Sequence, residues 1–220
     1  MRTAKAVLFD MDGVIFDSER ALLGIWQELA EAWQIPEIEA VFRRCIGSNL
    51  SRTERIFREA CPKLDFAEFD RAAKTRFRER YGQGRLPVKD GARELLQALM
   101  ERAVPLALAS STGRETVVRE LSEAGLLLCF QALVCGDEVR RSKPDPEIFL
   151  RAAEKLAVLP EDCFVIEDSF NGIRAAHAAG MRPLMVPDLV PPDGEMERMA
   201  ERVFPSLRDI QAYVLDKIVE

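Results

Sequence analysis

Only one histidine, His177, stands among the 220 residues. That scarcity excludes histidine-rich metal sites and gives no support to histidine-based acid–base catalysis; the small residues around His177 predict a place on a helix surface. Cysteine is sparse and unpatterned: Cys45, Cys61, Cys129, Cys135 and Cys163 are odd in number, scattered, and contain no Cys-x-x-Cys. Neither a disulfide framework nor a zinc site follows, and a reducing cytoplasm is expected. No stretch approaches the roughly 18 uninterrupted apolar residues of a membrane span. The opening Met1-Arg2-Thr3-Ala4-Lys5 runs into a short strand with acids rather than a signal peptide. Positive charge is in deficit as well. A net charge of -6 and a pI near 5.1 argue against nucleic acid as a non-specific partner. Residues 18 to 86 are the more basic part, with 13 Lys and Arg against 11 Asp and Glu.

What is present is an ordinary globular composition, 48% hydrophobic and 31% charged, long enough for one domain carrying a smaller insert. Ala6-Val7-Leu8-Phe9 reads as a buried strand. Ser18-Glu19 then opens a helical pattern through Leu22, Ile25, Trp26, Leu29, Ala30 and Trp33 that Pro36 stops. Further helices are expected at about 37–45, at about 51–61 behind a capping box Ser51-Arg-Thr-Glu54, and at about 66–80. Residues 18–85 therefore read as an all-helical insert. From Pro87 onward helices alternate with short apolar strands at 104–109, 132–135, 163–166 and about 183–186. Such alternation predicts an α/β fold, a doubly wound parallel sheet with a Rossmann-like core, formed by 1–17 and 86–220.

Sites in such sheets lie at the carboxyl ends of strands. The first strand ends in Asp10-Met11-Asp12-Gly13, whose period of two puts both aspartates on one side, and glycine permits the turn that follows. The next strand ends in Ser110-Ser111-Thr112. The third leads to Ser142-Lys143-Pro144, and the fourth ends in Glu167-Asp168-Ser169. Acids clustered without counter-charge repel one another, and a hard divalent cation resolves the repulsion. Mg²⁺ takes one or two carboxylates with substrate phosphate, an arrangement Asp10 and Asp168 suit. A carboxylate can attack phosphorus, and a second acid beside it can move protons. Lys143 and a hydroxyl suit the non-bridging phosphoryl oxygens.

Phe9-Asp10-Met11-Asp12-Gly13-Val14-Ile15, the hydroxyl after the second strand, Lys143-Pro144-Asp145-Pro146 and Val165-Ile166-Glu167-Asp168-Ser169 together resemble the four ordered motifs of the haloacid dehalogenase superfamily. The insert is similar to the helical cap of its phosphatase and β-phosphoglucomutase branch. The resemblance implies Asp10 as nucleophile and Asp12 as general acid/base, with phosphate bound by Ser110, by the adjacent Ser111 and by Lys143. It also implies Mg²⁺ held by Asp10, Asp168 and the Asp12 backbone carbonyl, with Glu167 assisting.

Dehalogenases and phosphonatases of this superfamily lack the second aspartate, so Asp12 points away from both. In β-phosphoglucomutases a cap histidine falls where this chain has Leu22, which favours hydrolysis over phosphoryl transfer to a second sugar site. Arg43, Arg44, Asn49 and Lys74 are candidate cap contacts to an anionic substrate. Cys135 to Ser142 also fits the Cys-x5-Arg-Ser spacing of cysteine-dependent phosphatases, but Asp137 and Glu138 inside that loop would repel phosphate and disfavour a thiolate. The expectation is a cytoplasmic, monomeric, Mg²⁺-dependent phosphatase acting on a small phosphorylated metabolite, a sugar phosphate above all. The alternatives are a β-phosphoglucomutase-type phosphoryl transfer and a non-catalytic Mg²⁺-binding interaction protein.

Overall fold

In the computed structural model, which describes residues 4–48 and 50–218, the continuous apolar runs form the middle of a sheet. Its strands are β1 (Ala6–Phe9), β2 (Leu106–Ser110), β3 (Ala132–Cys135), β4 (Cys163–Glu167), β5 (Arg182–Met185) and β6 (Arg202–Val203). They are parallel, in the order β3-β2-β1-β4-β5-β6. Every residue of β1, β2 and β4 is buried, because helices cover both faces and leave no side for polar residues.

Between β1 and β2 the described residues form a helical excursion: α1 (Ser18–Trp33), α2 (Ile38–Cys45), α3 (Leu50–Ala60) and α4 (Phe66–Tyr81). They enclose an apolar cluster of their own around Trp26, which meets Phe42, Phe57 and Phe69 edge-on at 5.1, 6.0 and 5.0 Å between ring centroids. Edge-to-face contact is the arrangement aromatic quadrupoles favour. The chain leaves and re-enters the sheet region through one narrow crossing. There Asp17 N–H donates to the Pro87 carbonyl and Lys89 N–H to the Ile15 carbonyl, both at 2.9 Å.

The remaining helices are α5 (Ala92–Glu101), α6 (Arg114–Glu123), α7 (Glu147–Lys155), α8 (Phe170–Ala178), α9 (Gly194–Met199) and α10 (Leu207–Lys217). Strand alternation sorts them. Val7, Phe9, Leu106 and Leu108 pack with α5, α6 and α10, whereas Ala6, Leu8, Ala107 and Ala109 pack with α7 and α8. The doubly wound parallel sheet with a helical insert is thus the fold the sequence predicts. Two details differ. Helix α3 starts at Leu50, so Ser51 lies inside its first turn rather than at a cap. The short α9 and the two-residue β6 carry too little periodicity to be seen in the sequence. His177 is exposed on α8, as expected. Among the described residues no helix is long and apolar enough to cross a membrane.

Candidate active site

The strand order places β1 and β4 side by side, while the chain leaves them toward opposite edges of the sheet. A crevice opens at such a switch point, beyond the carboxyl ends of both strands. Asp10 follows β1 and Asp168 follows β4, and both are buried there. Gly13 makes the close approach possible. Its φ is +79°, and a Cβ on it would stand 2.2 Å from Asp168 Oδ2.

Lys143 is the cation of the cluster, buried with the acids. Its ammonium donates to Asp10 Oδ1 at 2.5 Å, Glu167 Oε1 at 2.6 Å and the Ala109 carbonyl at 3.0 Å, which uses all three of its N–H bonds. Burial alone would lower the Lys143 pKa, but the Asp10 and Glu167 carboxylates outweigh it and raise it. Burial pushes Asp10 up to about 8; Lys143 opposes the shift, and the charges of Glu167 and Asp12 add to it. Asp168 is raised well above the usual carboxylate range by burial and by the charges of Glu167 and Asp10. One lysine is not enough positive charge for this crevice.

Oxygens of Asp10, Glu167 and Asp168 lie within 4.8 Å of one another. Buried carboxylates held this close take up either a proton or a hard cation, and the pKa values of Asp10 and Asp168 are raised, so the donor set fits Mg²⁺. Glu167 differs from its neighbours. Its Oε2 already accepts from Asp168 N–H at 3.0 Å, Ser169 N–H at 2.9 Å and the Ser169 hydroxyl at 3.0 Å. Asp10 and Asp168 carry less of this hydrogen bonding and are the freer ligands.

Asp12 is held differently. Ser18 Oγ donates to its Oδ1 at 2.7 Å and Thr112 Oγ1 to its Oδ2 at 2.8 Å. Asp12 is thus oriented by two neutral hydroxyls, and Asp10 by a cation. At the end of β2, Ser110 is fully buried and its Oγ accepts from Thr112 N–H at 3.0 Å, while Ser111, Thr112 and Gly113 line the open cleft.

The cleft is a cavity of about 570 Å³ between sheet and insert. Of the expected cap contacts, Lys74 lines it, with its ammonium on Asp70 at 2.6 Å. Arg43 and Arg44 do not. Helix α2 turns Phe42 and Cys45 toward the cavity, so the two arginines lie on its outer side, Arg43 on Glu39 and the Leu189 carbonyl, Arg44 on Glu59 at 2.9 Å. Asn49 lies outside the described residues. Leu22 faces the cleft. Thr112 and Glu19 were not among the residues expected from sequence. Glu19 lines the cavity among Asp10, Asp12 and Asp188, and burial and those charges push it up to about 8. Only the Ser-Glu pair at the start of α1 hinted at it.

The Cys135 to Ser142 spacing makes no thiolate site, as Asp137 and Glu138 within that loop predict. Burial and the Glu138 carboxylate push the Cys135 thiol up to about 11, and Arg141 is exposed and paired with Asp145 at 3.0 Å. No anion cradle forms there.

A parallel sheet with a buried aspartate just after its first strand, a buried lysine and paired acids across the switch point makes up the site. The family model for haloacid dehalogenase-like hydrolases matches residues 4–180, and the chain belongs to that family. It is 35% identical over 177 residues to a phosphorylated carbohydrates phosphatase of Thermotoga maritima, covering 80% of this chain and 82% of the relative. It is 33% identical over 178 residues to the fructose-1-phosphate phosphatase YqaB of Escherichia coli, covering 80% and 92%. Among solved structures, a HAD family hydrolase of Deinococcus radiodurans with bound phosphate and sodium superposes with a TM-score of 0.80, 31% identity, and 99% and 97% coverage. The protein is a hydrolase of phosphate monoesters.

Proposed function

We propose that the protein hydrolyses a small phosphorylated carbohydrate in two steps through an aspartyl-phosphate on Asp10, with Mg²⁺ as cofactor. Asp10 attacks phosphorus, and Asp12 gives a proton to the departing alcohol oxygen and later takes one from the attacking water. Asp10, Asp168 and the Asp12 backbone carbonyl would hold Mg²⁺, with Glu167 assisting; when bound, the ion offsets charge on the phosphoryl oxygens. Ser110, Ser111 and Lys143 take the remaining phosphoryl oxygens, Lys143 by exchanging one of its present partners.

The observation that carries this reading is the division of labour between the two aspartates: one paired with a buried lysine among metal-type ligands, the other oriented by two hydroxyls at the mouth of the cleft. The phosphatases of phosphorylated carbohydrates among its relatives support the substrate class. Leu22 supports water as acceptor, because it brings an alkyl group to the cleft where a mutase carries its histidine. The free cysteines support the cytoplasm.

The test is phosphate release from a broad panel of phosphomonoesters by the Mg²⁺-loaded protein and by Asp10→Asn. Loss of turnover in a variant that keeps its melting profile is expected; retained turnover would sink the aspartyl-phosphate. Glucose 6-phosphate formed from β-glucose 1-phosphate and a bisphosphate activator, in place of free phosphate, would establish the mutase.

A further inference from the structure

The cleft continues well past the catalytic groups. On its insert side α4 contributes Lys74, Phe77, Arg78 and Tyr81, and on its sheet side α6 contributes Thr116, Arg119, Glu120 and Glu123. Both sets follow the i, i+3, i+4, i+7 spacing of one helix face. Seven residues at 1.5 Å each make both walls about 10 Å long. The cavity's 570 Å³ lies in the range of sites that enclose small-molecule ligands, roughly 300–1,000 Å³.

The walls of this corridor differ in chemistry. Phe77 and Tyr81 are half-buried neighbours, with ring centroids 5.1 Å apart and planes tilted by 52°. Lys74 is occupied by Asp70 at 2.6 Å and Arg119 by Glu120 at 3.3 Å. Arg78 is exposed, and among the described residues its guanidinium has no hydrogen bond or ion pair. Glu120 and Glu123 also line the cavity, Glu120 paired with Arg119 and Glu123 accepting from Gly84 N–H at 3.0 Å through Oε2, so each keeps one carboxyl oxygen for a ligand.

A bare sugar can lay its C–H face on the Phe77 and Tyr81 rings but brings no carbonyl to Arg78, and each buried hydroxyl left unpaired costs about 1–3 kcal/mol. A second phosphate would find one free arginine but two glutamates. A neutral planar ring with carbonyl acceptors and an N–H donor meets all three features: aromatic faces to lie on, a guanidinium for its carbonyls and carboxyl groups for its N–H.

We infer that the α4–α6 corridor, through Phe77, Tyr81 and Arg78, is a second subsite that receives a planar, carbonyl-bearing heterocycle attached to the phosphorylated sugar. The preferred substrates are then esters of the nucleoside monophosphate type. This inference rests on the phosphatase reading and narrows its substrate.

Uridine 5′-monophosphate and ribose 5-phosphate differ only by the ring, so the ratio of their kcat/KM values isolates the subsite. The expected ratio is at least tenfold in favour of the ring-bearing ester. Phe77→Ala and Arg78→Gln should each lower it about fivefold to tenfold, chiefly through the KM of uridine 5′-monophosphate. Because the ratio is taken within one protein preparation, partial unfolding cancels, and exposed Arg78 serves if Phe77→Ala does not fold. Ribose 5-phosphate hydrolysed as well as the nucleotide, a ratio unmoved by Arg78→Gln, or fructose 1,6-bisphosphate preferred to both would overturn the subsite and leave the phosphatase standing. Failure to release phosphate from any ester of the broad panel would overturn both.

Discussion

Thr112 Oγ1 donates to Asp12 Oδ2 at 2.8 Å across 100 positions of chain. The loop after β2 therefore holds the acid that follows β1. A hydrogen bond to an ionised group contributes roughly 1.5–3 kcal/mol. Thr112→Val should accordingly lower kcat by about tenfold or more, with a smaller change in KM. Ser18→Ala, which frees the other oxygen, should act similarly. Steady-state kinetics on one good substrate check both, and an unchanged kcat in Thr112→Val would show that Asp12 needs no such restraint.

Metal affinity should depend on pH in a direction the site dictates. Asp10 is raised to about 8, so below that pH a proton must leave before a cation can bind. Mg²⁺ affinity, read by calorimetry, is expected to rise from pH 6 to 8 and then level off. EDTA should abolish turnover and excess Mg²⁺ restore it. Affinity that falls over the same interval would contradict the ligand assignment.

Glu19 yields a stability prediction. Its folded pKa of about 8 exceeds the ordinary 4.5, so between those values the folded protein holds a proton that the unfolded chain has released. Stability of the metal-free protein therefore falls as pH rises through that window. Glu19→Gln removes this part of the fall. Its Tm should match that of the parent near pH 5 and exceed it near pH 8 by a few degrees, roughly 2–4 °C per kcal/mol for a chain of this size. Equal melting at both pH values would contradict the assignment.

Gly13 tolerates no side chain. Its φ of +79° and the 2.2 Å that would separate a Cβ from Asp168 Oδ2 mean that Gly13→Ala must displace Asp168 or the turn itself. Loss of Mg²⁺ binding together with a drop in kcat of about a hundredfold or more is expected. Calorimetry and kinetics on the folded variant decide it.

The middle strands were legible in the sequence because burial on both faces makes them continuous apolar runs, and the strand-end motifs were legible because they sit within a few residues of those runs. Asp10, Asp12 and Asp168 converge for that reason, whereas Lys143 reaches Asp10 and Glu167 from a loop eight positions past β3. The insert was legible only as helices. Which way a helix faces another element depends on packing, so nothing local said that α2 would turn Arg43 and Arg44 outward or that Glu19 would enter the cleft. Nothing local marks Thr112, because its partner Asp12 lies 100 positions away. The two-residue β6 left no signal, since its pairing depends on β5 alone.

The crossing at Asp17, Pro87 and Lys89 is narrow, and the insert beyond it has its own aromatic core. Mutations on helices α1 to α4, Ser18 and Glu19 apart, can therefore reshape the roof of the cleft without shifting a strand of the sheet. In such a design the chemistry is inherited while the diet evolves: a lineage can exchange one phosphate ester for another by editing a self-contained helical lobe. Duplicated copies of the gene would be expected to diverge there first.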